Sequence, residues 1–274
     1  MIDLHTHHKR CGHAKGDLSS YARIGYEKGL CVLGLSDHAP LLLEGRPNDP
    51  MPGKHMPVSS FDGYLDEACH IQEQYSNKLR VLVGVEADYM SGTEEAYAEL
   101  VADRRLDYVI GAVHYFGGFH VYDRARWANQ ADVEEEYERY HEHVRAAAAS
   151  GLFDILAHID AVKARAPHMP TAPERAWDAT VEAVRAAGVA VEVNTAGLRK
   201  CGEPFPAWGL IGRLHAAGVP LTFGSDAHAP EEIAYGWAEV RDGLTSLGVT
   251  ELAVYEGRRR SMVRIRDLDP ASRS

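Results

Sequence analysis

The chain has 274 residues, of which 45% are apolar; that fraction excludes wholesale disorder, and the length suits a single α/β barrel. A formal net charge of −11 with histidine neutral argues against a nucleic-acid partner, whose phosphates must be met by an excess of Lys and Arg. The four cysteines form no CxxC pair, MIDLHTHH opens without a signal-peptide stretch, and no run of about 20 apolar residues could span a membrane, so a cytoplasmic protein with free thiols is expected.

Short apolar or β-branched runs alternate with longer amphipathic stretches along the chain. Residues 2–7 (IDLHTH) read as a strand, followed by a helix over 17–29 that starts at Asp17 or Ser19 and stops at Gly29. A second strand covers 31–38 (CVLGLSDH). The Pro-rich stretch 39–58 lacks periodicity and reads as a long surface loop over a strand end, placed to act as a lid. A helix over 59–77 leads to strands at 80–88 (RVLVGVEAD) and 107–114 (DYVIGAVH). A Glu- and Ala-rich helix is expected over 131–150, then a strand at 154–160 (DILAHID). Pro173 suits the first turn of a helix running to 187, and Gly188 its end. A strand at 189–195, a helix at 206–217, a strand at 219–226 and a helix at 230–247 complete the series.

Each strand is a continuous apolar run, as in a parallel sheet covered on both faces. Repeated strand–helix alternation of this length implies a closed α/β barrel. No composition shift marks a second domain, so one domain over 1–268 and a flexible tail at 269–274 are expected.

The strand ends carry the chemistry. The first ends in His5-Thr6-His7 with His13 just beyond, the second in Asp37-His38, the third in Glu86, the fourth in His114 and the fifth in His158. The seventh ends in Asp226 and His228. In a parallel barrel all these ends lie on one face, where active sites are built. His5 and His7, two apart on a strand, point the same way and can grip one ion. A lone HxH, or a lone strand-end histidine, is more often a packed surface residue. Seven histidines, one Glu and one Asp on one face suit zinc, manganese or iron. Bound cations would also reconcile an acidic chain with an anionic substrate. The helix-borne His70, His141, His143 and His215 read as solvated; His8, His55, His120 and His168 fall in loops and are left unassigned.

In this order, DLHTHHKRCGH, SDHAP, GVEADY, GAVH, AHID, EVNTAGLRK and GSDAH resemble the PHP (polymerase and histidinol phosphatase) family over residues 2–230. VEVNTAGLRK, GEPFP and SDAHAPEEI fit its histidinol-phosphate phosphatase branch better than the polymerase-associated one. The resemblance implies a distorted seven-stranded (β/α)7 TIM-like barrel with about three divalent ions in one site. Carried over by motif, His5, His7, Glu86 and Asp226 would hold the first ion, and Glu86, His114 and His158 the second. His13, His38 and His228 would hold the third.

On that reading two ions sharing Glu86 hold a hydroxide, the third takes phosphate oxygens, and no Ser or Cys nucleophile is needed. Glu86, Asp226, His228 and Arg199 are the expected catalytic set. Arg199, just past the sixth strand, is the first candidate for a bidentate phosphate contact, with Lys163 and Arg165 second. Asp160 is expected either to orient His158 or to cap the turn that follows. The expected substrate is a small phosphate ester, L-histidinol phosphate in the first instance, with no nucleic-acid or membrane partner. Another small phosphate ester or nucleotide, a non-catalytic metal-binding role and a C–N-cleaving amidohydrolase remain as alternatives. The sequence leaves the native metal and the oligomeric state open.

Overall fold

A computed structural model of the chain describes residues 1–42, 53–123, 133–165 and 173–268. The centre of the expected 39–58 loop, His168 and the expected tail at 269–274 lie outside them.

Seven parallel strands form the barrel expected from the sequence. They are β1 (Ile2–Asp3), β2 (Val32–Leu35), β3 (Arg80–Asp88), β4 (Tyr108–Ala112), β7 (Ile155–Leu156), β8 (Ala190–Asn194) and β9 (Leu221–Gly224), hydrogen-bonded in that order. A small hairpin, β5 (Tyr115–Phe116) and β6 (Phe119–His120), leaves the barrel after β4. The first and last strands close on each other: Leu4 N donates to Phe223 O at 3.0 Å and His7 N to Ala227 O at 2.8 Å. Six of the regular strands are shorter than their apolar runs, because residues such as His5–His7 continue past the ladder toward the site.

The helices follow local signals. α1 (Leu18–Glu27) is capped by Asp17, whose carboxylate accepts from Ser20 N at 2.9 Å. α2 (Val58–Tyr75), α4 (Val133–Ala149) and α5 (Glu174–Ala187) fall where expected, and Gly188, at φ 70°, stops α5. α3 (Glu94–Val101) and α6 (Ala196–Cys201) were not expected; α6 forms on the AGLRKC stretch itself. α7 (Trp208–Ala216) matches. The helix expected over 230–247 is broken into a 3-10 turn at Pro230–Glu232 and α8 (Trp237–Ser246), with Gly236 at φ 69° between them.

Inside the barrel, Tyr108 fills the centre and donates to Leu4 O at 2.6 Å. Gly84 is required beside it, since a Cβ there would fall 2.3 Å from the Tyr108 ring. A second hairpin, β10 (Glu251–Glu256) and β11 (Arg259–Arg264), seals the opposite end. At its turn Arg258 N donates to Asp107 O at 2.8 Å, and the guanidinium pairs with Asp154 and reaches Val101 O and Leu152 O. Asp107 and Asp154 directly precede β4 and β7, so this turn closes the N-terminal mouth and leaves the C-terminal mouth to the His- and carboxylate-bearing ends. No helix among the described residues is long and apolar enough to cross a membrane.

Candidate metal centre

The nine strand-end residues converge. His5 and His7 extend β1, and their Nε2 atoms lie 3.0 Å apart. Glu86, 1% exposed on β3, is the hub. Its Oε1 lies 3.1 Å from His158 Nε2, 3.4 Å from His5 Nε2 and 3.9 Å from His114 Nε2. Its Oε2 lies 2.9 Å from His38 Nδ1 and 3.5 Å from His7 Nε2. Asp226 Oδ1 stands 3.2 Å from His7 Nε2 and 4.0 Å from His5 Nε2. His13 and His228 meet at the open side, Nε2 to Nε2, at 3.1 Å.

Three groups of potential ligand atoms lie within 4.8 Å of one another: His5, His7 and Glu86; His38, Glu86 and His114; and His7, His38 and His228. The core of the first expected set is therefore drawn together. The geometry differs in how the other sets share residues. His38 faces Glu86 and His114 as well as His13 and His228, and His7 stacks on His38 with ring centroids 4.1 Å apart.

The donor set fits divalent cations. Glu86 Oε2 is buried and has no hydrogen-bond partner although imidazole nitrogens surround it. A buried polar atom left in that state is costly, and a cation held jointly with the imidazoles would satisfy it. Burial alone would raise the Glu86 carboxyl, but His5, His38 and His114 hold it well below the usual range. Asp226 is likewise held low, against its burial, by Lys200 and His5. Burial, with His7 next, lowers His13, His38 and His228, the last to about 4. His5, His7 and His114 go the other way: against their burial, Glu192 and Glu86 raise His5, Asp226 and Asp37 raise His7 to about 9, and Asp88 and Glu86 raise His114. A cation held there would displace those protons, because imidazole ligates in its neutral form. Two of these residues, His158 at φ 31° and Asp226 at φ 53°, hold left-handed backbone, a strain that clusters at functional sites.

Outside this set, three carboxylates face the Nδ1 atoms of His5, His7 and His114. Asp88 takes His114 Nδ1 at 2.8 Å and His55 Nε2 at 2.7 Å. Glu192 takes His5 Nδ1 at 2.6 Å, and Asp37 lies between His7 Nδ1, at 3.5 Å, and His8. Sequence reasoning did not assign Asp88 or Glu192. The available signal was an acidic residue inside a fully buried strand, which needs a partner. Tyr140 of α4 donates to His158 O at 3.2 Å and steadies that residue from behind.

A cleft of about 430 Å³ opens over the cluster. Besides His13, His38, His114, Asp226 and His228, it is lined by Lys54, His55, His120, Tyr122 and Lys200. Lys200 Nζ sits 4.3 Å over the Tyr122 ring and 3.9 Å from Asp226 Oδ2. Arg199 does not line the cleft: its guanidinium stacks on Tyr235 at 4.6 Å and lies 3.8 Å from Glu232, whose carboxylate accepts from His228 N.

Lys163 is corrected. Its ammonium is engaged by Pro204 O at 2.7 Å, Asp160 at 3.0 Å and Glu203 at 3.1 Å, so no donor remains for a phosphate. Asp160 accepts from Ala207 N and Lys163 rather than orienting His158. Arg165 is half-buried beyond the turn Ala161–Ala164 and does not line the cleft. His141 is not solvated: it is fully buried between α4 and α5, with Nδ1 3.0 Å from Thr180 Oγ1.

Residues 3–196 match the PHP domain family. A protein of Deinococcus radiodurans named "Probable histidinol-phosphatase" is 34% identical over 251 residues, 90% of this chain and 94% of its own. The histidinol-phosphatase of Bacillus subtilis is 25% identical over 259 residues, 86% of this chain and 96% of its own. The structure of histidinol phosphate phosphatase from Lactococcus lactis, complexed with zinc, L-histidinol and phosphate, aligns with a TM-score of 0.80 over 95% of this chain and 98% of that one, at 19% identity, a likeness of fold.

Proposed function

The chain belongs to the PHP domain family, and from that premise we propose that it is a metal-dependent phosphomonoesterase converting L-histidinol phosphate to L-histidinol and phosphate. The observation that carries the reading is Glu86, a buried carboxylate with imidazoles facing both oxygens. Such a residue is built to be shared between cations. His5, His7, Glu86 and Asp226 would hold one ion, Glu86, His114 and His158 a second, and His13, His38 and His228 a third, with zinc, manganese and iron all suited to the donors. Bound ions would supply a hydroxide nucleophile at neutral pH and neutralise charge on the phosphate.

The chain's own residues do the rest. The carboxylates stay ionised, His13, His38 and His228 stay neutral, and the left-handed backbone at His158 and Asp226 fixes where their side chains aim. Lys200 in the cleft, with Arg199 next to it on α6, would provide the positive charge a phosphate needs on its open side. The named relatives and the zinc, histidinol and phosphate in the Lactococcus lactis enzyme support histidinol phosphate as substrate. The working unit is a single domain over 1–268, and its partner is a small molecule rather than nucleic acid. A purely metal-storing role fits less well, because storage has no use for a cleft with Lys200 aimed across the cluster.

The test is kcat/KM on a panel of phosphate esters with zinc- and manganese-loaded protein. Histidinol phosphate is expected to exceed p-nitrophenyl phosphate and nucleotides by at least tenfold, about 1.4 kcal/mol of discrimination. A nucleotide or another ester at the top would move the substrate within the family and leave the metal chemistry standing.

A further inference from the structure

Of the three carboxylates that hold ligand histidines from behind, Glu192 leads furthest into the molecule. It is 1% exposed on β8, and its Oε1 takes His5 Nδ1 at 2.6 Å. An ionised carboxylate can only accept, so a proton sits on Nδ1, and Nε2, which faces Glu86 and His7, is the nitrogen left to ligate a cation. The other oxygen accepts from Asn194 Nδ2 at 2.9 Å, and Asn194 Oδ1 accepts from Ala196 N at 2.9 Å. Ala196 is the first residue of α6, the helix that carries Arg199 and Lys200. Space for this path is reserved on β9. A Cβ at Gly224 would fall 1.8 Å from Glu192 Oε1 and 2.5 Å from His5 Cβ.

We propose that Glu192 is a positioning residue that fixes the tautomer of His5 and, through Asn194, ties that ligand to the start of α6. Metal binding and the placement of Lys200 and Arg199 are then coupled through one buried carboxylate. The inference rests on the reading that the cluster binds divalent ions. Glu192→Gln keeps the shape but cannot accept from both neighbours: its amide oxygen can serve His5 only if its NH2 group faces the NH2 of Asn194.

The experiment measures zinc affinity by competition with a chromogenic chelator for wild type, Glu192→Gln, His5→Ala and the double variant. The thermal midpoint of each metal-free protein is recorded alongside. Glu192→Gln is expected to weaken zinc binding ten- to a hundredfold, and to add no further loss once His5 is gone. Gly224→Ala, which crowds the same carboxylate, is expected to reproduce the effect. Asn194→Ala should keep the zinc affinity and raise KM for the phosphate ester, because it severs only the link to α6. Unchanged affinity in Glu192→Gln, or an equal loss with and without His5, would overturn the proposal and leave Glu192 a packing residue. A wild type that binds no zinc or manganese at all would overturn the metal-centre reading, and this inference with it.

Discussion

The Nε2 atoms of His5 and His7 stand 3.0 Å apart, and each lies within 3.5 Å of a Glu86 oxygen. Two imidazoles on one strand and a carboxylate two strands away thus aim at a common point. Protein purified without chelator is expected to carry about two to three divalent ions per chain. Elemental analysis checks this, and full activity in metal-free protein would contradict it.

Glu86→Gln tests the hub. The amide keeps the volume but loses the charge that draws cations to both oxygens. Turnover should fall by several orders of magnitude and metal content should drop, while circular dichroism stays that of wild type. Near-normal turnover at full metal content would show that the ions do not share this residue.

Alanine variants of Arg199 and Lys200 test phosphate binding apart from metal binding. Loss of a charged hydrogen bond typically costs about 1.5–3 kcal/mol, so either alanine variant should lower kcat/KM about ten- to a hundredfold. Arg199→Lys should recover only part, because an ammonium cannot reproduce the guanidinium fork. Metal content should be unchanged in Arg199→Ala. A loss on histidinol phosphate alone, with p-nitrophenyl phosphate unaffected, would assign the residue to the rest of the substrate. No loss on either ester would remove it from the site.

His141 makes a prediction about pH. Burial, reinforced by Arg145, pushes its imidazole down to about 3. The unfolded chain takes up a proton below about 6.5 and the folded chain does not. Its effect on stability is therefore nil above that pH and becomes a penalty as pH falls from about 6.5 toward 3, near 1.4 kcal/mol per unit. His141→Gln should gain on wild type by about 2 kcal/mol between pH 7 and pH 5 in urea denaturation. A constant difference across that range would mean that the ring protonates in the folded protein.

Much of this was legible in the sequence for one reason: the clustered histidines and carboxylates follow continuous apolar runs, so strand ends and candidate ligands announce each other. What escaped has physical causes too. Arg199 and Lys200 are neighbours on α6, and successive helical side chains diverge by about 100°. Which one faces the cleft depends on a helix phase that six residues do not reveal. Glu192 lies within the apolar run VAVEVN and passes for part of the strand until its partner, 187 residues away, is seen. The hairpin at 251–264 has an exposed, Arg-rich second strand that lacks the apolar alternation of a half-buried one. His141 sits on a helix rich in Glu and Arg, and only the packing of α5 shows that its face is turned inward.

Phosphate release from L-histidinol phosphate by one preparation, assayed as metal-loaded, chelator-stripped and reloaded protein, bears most directly on the central claim. Rapid release in the loaded protein, loss on stripping and recovery on adding back zinc or manganese is the predicted result. Release that survives complete removal of metal, or none at any metal loading, would contradict it.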